Sequence, residues 1–444
     1  MTEDRVIIVG AGLAGSLLAI YLAKRGIKVD VFEARGDMRK ETVDAGRSIN
    51  LALSDRGIAA LREIGMDEYM LAEAVPMYGR MIHSVAGETK LLPYSGRKGE
   101  YINSVSRAGL NIALINKAEK YPEVQFVFND RCVELDLPSS EAVFASGRTR
   151  RADTVIAADG AGSSIRQSIE KQLPGFESTS VFLDHGYKEL HIPPKDNGDF
   201  HLEKNALHIW PRHQFMMIAL PNFDGSFTCT LFLDKKEIAS LSTADSVTGF
   251  FQQEFPDAVP LMPTLNEDFV ENPTGELGTL KCWPWNVAGK VLLLGDSAHA
   301  MVPFYGQGMN CAFEDVRVMD QLVEKHGTDW PTIYNEYARL RKPNTDAIQD
   351  MAEENFYEMR DATADPVFQR KRELETELEQ SCPDYFSKYS MVTFREDLPY
   401  AVAKEKGNAQ DGLLMKKCSE VGSIQQIDLD AVMAELRTNE ANTR

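Results

Sequence analysis

A chain of 444 residues exceeds one ordinary domain, and its 43% hydrophobic and 26% charged residues exclude general disorder. A formal charge of −19, with no Lys/Arg-rich block, argues against nucleic acid as a partner. The six cysteines (Cys132, Cys229, Cys282, Cys311, Cys382 and Cys418) are scattered, with no CxxC and no His-rich segment. They signal neither a metal site nor a disulfide framework, and they suit buried thiols in a reducing cytoplasm.

The chain opens with a predicted strand at 5–9, a glycine turn at 10–15, a helix at 13–25 and a strand at 28–32. That βαβ order implies a parallel, doubly wound sheet. Residues 6–23 are 18 uncharged, mostly apolar residues and imitate a membrane segment. Three glycines divide that stretch into a β-branched strand and a helix, and no other segment is apolar enough to span a bilayer, so neither a membrane anchor nor a membrane partner is expected. Further on, 153–166 reads as a buried strand ending in Asp159-Gly160, a small-residue turn and a helix. Short strands are predicted at 181–183, 187–192, 206–210, 215–220 and 226–233, separated by turns at 193–194, 196–198 and 222–225. These suit a largely antiparallel sheet. Parallel-sheet character returns at 290–294, before Gly295-Asp296, and from about Cys311 the pattern is helical through Met359 and again over 366–380.

The expected fold is therefore α/β. A Rossmann-like nucleotide domain (1–70, 100–180 and 280–330) is interleaved with a mainly antiparallel β-sheet domain (71–99 and 181–279), and a helical C-terminal region covers 331–444.

Three elements carry chemistry. Gly10, Gly12 and Gly15 match the dinucleotide fingerprint, in which a tight turn and bare backbone let a pyrophosphate approach a helix N-terminus. Glu33 lies 18 residues after Gly15 at the end of the second strand, placed to accept from an unphosphorylated ribose. Asp159 and Asp296 each end a buried strand, where a carboxylate suits the hydroxyls of a flavin's ribityl chain. Singly each is equally a turn with a helix cap. In this order they point to FAD. They would also suit a flavin reductase or oxidase of the same build.

The same elements resemble the single-component flavin-dependent aromatic hydroxylases, the p-hydroxybenzoate hydroxylase-like family. The runs RSINLAL (47–53), GRMIH (79–83), HGYKEL (185–190), NALHIWP (205–211), PFYGQGMNC (303–311) and YSMVTF (389–394) resemble members that hydroxylate L-kynurenine. The resemblance reaches from residue 5 to about residue 400. It departs from the pattern at Tyr305, where a small aromatic or a histidine is usual.

The resemblance implies an FAD-dependent monooxygenase that takes transient NADPH and O2 and acts on L-kynurenine through a flavin C4a-hydroperoxide. It places FAD against Leu13, Glu33, Ala34, Arg35, Ala52, Arg107, Cys132, Asp296, Met309 and Asn310, with Gly308 in the same turn. It assigns the amino-acid end of the substrate to Arg80, Tyr94, Asn355 and Tyr389, and the ring side to Pro303, Phe304 and Gln307.

Overall fold

The computed structural model describes residues 5–40, 50–359 and 365–442, so residues 47–49 of the run RSINLAL lie outside the described residues. The chain forms two compact units, one of Met1–Ala72, Val105–Leu183 and Leu277–Gln349, the other of Glu73–Ser104, Asp184–Glu276 and Asp350–Arg444.

In the first unit the β-branched strand Arg5–Val9 lies between Lys28–Phe32 and Thr154–Ala157, parallel to both. Val124–Val127 extends this sheet on one side and Val291–Leu293 on the other, both parallel, and Asn286–Val287 closes it antiparallel. Strands buried on both faces need continuous apolar runs, and Val6 to Val9 and Val155 to Ala157 are almost wholly buried. The stretch that imitated a membrane span is thus a core strand followed by the buried helix Leu13–Lys24. Among the described residues no helix is long and apolar enough to cross a membrane.

The second unit carries strands of a seven-stranded sheet, in which Phe227–Asp234, Phe215–Pro221 and Ala206–Arg212 pair antiparallel. Gly79–His83 adds parallel to Ala206–Arg212, and Thr89–Pro93 adds antiparallel beyond it. One face packs on the helices Ala244–Glu254 and Leu265–Glu271 through Trp210, Leu231, Phe251, Phe255 and Phe269.

Four sequence expectations change. The strands foreseen at 181–183 and 187–192 are one strand, Glu177–Ile192, because His185 and Gly186 pair with Asp234 and Leu233 in the same antiparallel ladder as Tyr187–Ile192. The last parallel strand is shorter than 290–294, at Val291–Leu293, and the helix foreseen from Cys311 starts at Gly308. The helical region 331–444 is divided, since 331–349 belongs to the first unit and the rest to the second. Its helix Trp330–Tyr357 runs unbroken through Pro343. The pattern-poor C-terminal residues form the helices Tyr400–Ser419 and Leu429–Asn442, which bury Leu414, Cys418, Val432 and Met433 against Leu374 and Leu378.

Candidate active site

The glycine turn separates two jobs. Gly10 has φ +103°, and a Cβ there would lie 2.3 Å from the Ala158 carbonyl oxygen; one at Gly15 would lie 2.0 Å from the Gly10 oxygen. Both glycines are demanded by backbone packing within the protein. Gly12 is different: a Cβ there meets nothing within 4 Å, so its outer side is open. The Ala11 peptide between them is pinned on both sides. Its N–H donates to Glu33 Oε2 at 2.8 Å, and its carbonyl accepts from Asn111 Nδ2 and Ser16 Oγ, each at 3.0 Å.

Burial acts to raise the Glu33 carboxyl, but hydrogen bonds from the Arg35 side chain and backbone and from Ala11 outweigh it and hold it below the usual range. Glu33 is therefore an anion beside the open turn. Ala34 and Arg35, next to it, are exposed, and Leu13 is half-buried. Asn111 escaped sequence reading. The signal available was its position four residues after Arg107, on one face of the helix Arg107–Ala118. Arg107 itself is exposed on that helix's first turn, which Ser106 caps by accepting from Gly109 N–H at 3.1 Å.

The two strand-end carboxylates differ. Asp159 is engaged by its own turn: Oδ1 accepts from Ser297 Oγ at 3.0 Å, and Oδ2 from Ser164 N–H at 2.8 Å and Ser164 Oγ at 3.1 Å. Ser297 Oγ also accepts from Gly160 N–H at 3.0 Å, which ties the Asp-Gly turn to the Gly-Asp turn. Asp296, by contrast, is exposed and takes no hydrogen bond from the described residues. Cys132 is buried, and burial first, then the Asp159 charge, pushes its thiol up to about 12, so it is a neutral group.

The run 303–311 forms a short 3-10 turn, Pro303–Tyr305, then a left-handed Gly306 (φ +67°) and the helix Gly308–His326. Phe304, Tyr305 and Gln307 are buried, and Pro303 is exposed. Asn310 Nδ2 donates to the carbonyls of Ala52 at 2.8 Å and Gly306 at 2.9 Å, while its Oδ1 accepts from Ser54 N–H at 3.0 Å. Its side chain therefore fixes the turn. The helix has no side-chain cap, and the N–H groups of Gly308, Met309 and Asn310 have no acceptor among the described residues. Such open donors, reinforced by the dipole of a 19-residue helix, form a site for developing negative charge.

These features fit an FAD: an open turn at a helix N-terminus for the pyrophosphate, the Glu33 anion for a ribose, the free Asp296 for the ribityl chain, and open N–H groups at 308–310 for a flavin carbonyl.

Behind that turn lies a buried ionic network. Asp315 Oδ2 sits 2.7 Å from His299 Nε2 and accepts from Gly295 N–H at 3.3 Å, while Oδ1 accepts from Arg341 Nε at 2.7 Å. Arg341 also pairs with Glu314 at 2.8 Å, which in turn meets Arg56 at 3.2 Å. His299, Cys311 and Asp315 have metal-ligand atoms within 4.8 Å of one another. The Arg341 guanidinium, 3.4 Å from Cys311 Sγ, already fills the role of the cation there. Burial first, and the Asp315 charge after it, pushes the Cys311 thiol well above its ordinary range, which disfavours a thiolate ligand. Breaking one partner of such a network strands a buried charge. Arg341→Met is expected to cost about 3–5 kcal/mol in chemical denaturation. A loss below about 1 kcal/mol would instead mark a solvent-screened pair.

In the second unit, Arg80, Tyr94 and Tyr389 come together. The Tyr94 and Tyr389 rings stack with centroids 5.2 Å apart and planes 10° apart. The Arg80 guanidinium lies 5.0 Å from the Tyr389 ring centroid and 5.7 Å from that of Tyr94. Arg80 has no carboxylate partner among the described residues, and its buried Nε and the Tyr94 hydroxyl both lack a hydrogen-bond partner. Burial raises both tyrosines above their ordinary range, so each keeps its O–H. Asn355 is also buried, and its amide donates to Met359 Sδ at 3.3 Å.

The FAD binding domain family matches residues 3–352, and together with the chain's curated relatives this defines an FAD-dependent monooxygenase. Kynurenine 3-monooxygenase of Myxococcus xanthus (strain DK1622) is 46% identical, covering 98% of this chain and 95% of that protein. The enzyme of that name from Dictyostelium discoideum is 45% identical over 96% and 95%. The chain belongs to the kynurenine 3-monooxygenase family. Among solved structures, 2-methyl-3-hydroxypyridine-5-carboxylic acid oxygenase shares the fold with TM-score 0.68 at 21% identity, covering 89% of this chain and 97% of that one. p-Nitrophenol 4-monooxygenase from Pseudomonas putida DLL-E4 does so with TM-score 0.67 at 18% identity, covering 85% and 95%.

Proposed function

We propose that the protein hydroxylates L-kynurenine to 3-hydroxy-L-kynurenine in the cytoplasm, converting NADPH, a proton and O2 to NADP+ and water as it does so. The observation that carries the substrate reading is the Arg80 guanidinium. Among the described residues it is half-buried without an anion, beside a Tyr94 hydroxyl that is buried without a partner. Buried donors left unpaired cost free energy, and a bound α-carboxylate satisfies both.

In this reading Arg80 and Tyr94 hold the carboxylate, and Tyr389 packs its ring against the guanidinium. Asn355 donates or accepts at the amino-acid end. Pro303, Phe304 and Gln307 line the ring side. The first unit acts as the FAD domain and the second as the substrate domain. FAD held here would supply hydride acceptance from NADPH and activation of O2, and the protein's part is to bind, orient and exclude water. Leu13, Ala34, Arg35, Ala52, Arg107 and Cys132 flank the cofactor. The open N–H groups of Gly308, Met309 and Asn310 stabilise negative charge on the reduced ring.

Excluding water matters because wasteful peroxide release competes with transfer to the ring. L-Kynurenine is therefore expected to stimulate NADPH oxidation strongly, with little peroxide formed, when consumption is followed by absorbance and peroxide is assayed alongside. Equal NADPH oxidation with and without any aromatic substrate favours a flavin reductase or oxidase of the same fold.

A further inference from the structure

Away from these residues, the second unit buries two imidazoles in a line. His83 ends the strand Gly79–His83, and His208 lies on the neighbouring strand Ala206–Arg212. His83 Nδ1 is 2.7 Å from Asp257 Oδ2, and His83 Nε2 is 2.8 Å from His208 Nδ1. His208 Nε2 is 2.8 Å from the Glu203 carbonyl oxygen. The rings are 2% and 1% exposed, which removes water as an alternative partner.

Each of these three contacts is at hydrogen-bond distance and needs one proton between its atoms. The line ends in a carboxylate and a carbonyl, and neither brings a proton of its own. Two neutral imidazoles carry two ring protons. The third contact would then set lone pair against lone pair, which buried polar groups avoid.

We infer that the pair holds one further ring proton, on His83 between Asp257 and His208, and that the resulting buried ion pair fixes the strand that carries Arg80.

The surroundings agree. Trp210 Nε1 donates to both Asp257 oxygens at 3.0 Å. Burial acts to raise the Asp257 carboxyl, but hydrogen bonds from His83 and Trp210 hold it below the usual range, so the carboxylate is the anion of the pair. Burial pushes His208 down to about 4, so it stays neutral, accepts at Nδ1 and donates from Nε2. The Trp210 ring stacks on His83 with centroids 4.1 Å apart, a contact that favours a cationic ring. The other charge facing the cluster is Arg212, whose Nη1 donates to the His83 carbonyl at 3.1 Å and whose Nε donates to the Glu254 carbonyl at 2.6 Å. Its like charge opposes the proton, and the Glu254 carboxylate offsets part of it.

The link to Arg80 is the strand pairing. Arg80 stands opposite Leu207 and Met81 opposite His208. Side chains alternate along a strand, so His83 and His208 share one face and Arg80 points to the other. The imidazole bridge locks one end of this pair, and Asn205 Nδ2, donating to the Pro76 carbonyl at 2.8 Å, locks the other. His83 is thus a positioning residue for Arg80, a role that rests on the carboxylate reading above.

The test is nitrogen-15 imidazole NMR at neutral pH, with His83→Gln and His208→Gln used to assign the rings. His83 is expected to show both ring nitrogens protonated, and His208 only Nε2. Two neutral rings in the wild type overturn the proton. In Asp257→Asn the His83 ring is expected to lose its second proton, and apparent affinity for L-kynurenine to fall roughly 2- to 30-fold. Unchanged affinity in that variant overturns the positioning role. The wild type's preference for L-kynurenine over its decarboxylated amine reports on Arg80 by itself. Its absence, with the NMR signature intact, counts against the Arg80 reading and not against the proton.

Discussion

Gly12→Val is expected to purify folded but without its flavin. The space beside Gly12 is open, since a Cβ there meets no protein atom within 4 Å. The clash falls on the pyrophosphate, which must come within hydrogen-bond reach of the backbone N–H groups at the start of the helix Leu13–Lys24. Losing two charge-assisted hydrogen bonds costs about 3–6 kcal/mol, roughly a 100- to 10,000-fold loss of FAD affinity. Titration of the apoprotein with FAD measures this, and circular dichroism checks the fold. Gly10→Ala is the contrasting control. A Cβ 2.3 Å from the Ala158 oxygen, at φ +103°, strains the protein before any ligand is present, so that variant should lose stability. Full flavin occupancy in a folded Gly12→Val protein would show that the pyrophosphate lies elsewhere.

Arg80→Ala is expected to bind L-kynurenine about 30- to 1000-fold more weakly, as the loss of a charge-assisted contact worth about 2–4 kcal/mol. FAD should stay bound, since Arg80 belongs to the unit that lacks the glycine turn. Arg80→Lys should rescue only in part, because an ammonium has the charge but not the planar fork. Its packing over the Tyr389 ring should also weaken. The discriminating measurement is a titration of L-kynurenine and of its decarboxylated amine against wild type and Arg80→Ala. Wild type should prefer the acid, and the variant should lose most of that preference. Equal discrimination by both proteins means that Arg80 does not read the carboxylate.

Local signals are strongest in the first unit, because its elements are specified by short-range chemistry. A β-branched run, a glycine turn and an acidic strand end place Gly10, Gly12, Gly15 and Glu33 without reference to the rest of the chain. The two strand-end aspartates looked alike in sequence and proved different. Asp159 spends its oxygens on Ser164 and Ser297, while Asp296 is free, and only the tertiary approach of Ser297 decides this. Asn310 is the same kind of case, since its amide is consumed by nearby Gly306 and by Ala52 and Ser54, more than 250 residues away in the chain. Asn111 left only its spacing from Arg107 as a mark, and the Asp315–Arg341 pair left none. Arg80, read alone, is an ordinary half-buried arginine. Its meaning comes from Tyr94 and from Tyr389, which lies 309 residues further along, and from the lack of a carboxylate partner among the described residues. Strand ends were the least legible feature, as the merged strand Glu177–Ile192 shows, because pairing partners and not the turn-forming residues set its length.

Isotope labelling tests most directly the proposed transfer of one oxygen atom from O2 to the kynurenine ring. The purified yellow protein is supplied with NADPH, L-kynurenine and 18O2 in ordinary water, and the product is analysed by mass spectrometry. The expected product is 3-hydroxy-L-kynurenine carrying one 18O atom, formed in step with NADPH consumed. Unlabelled product, or NADPH oxidised to hydrogen peroxide with L-kynurenine recovered intact, would contradict it.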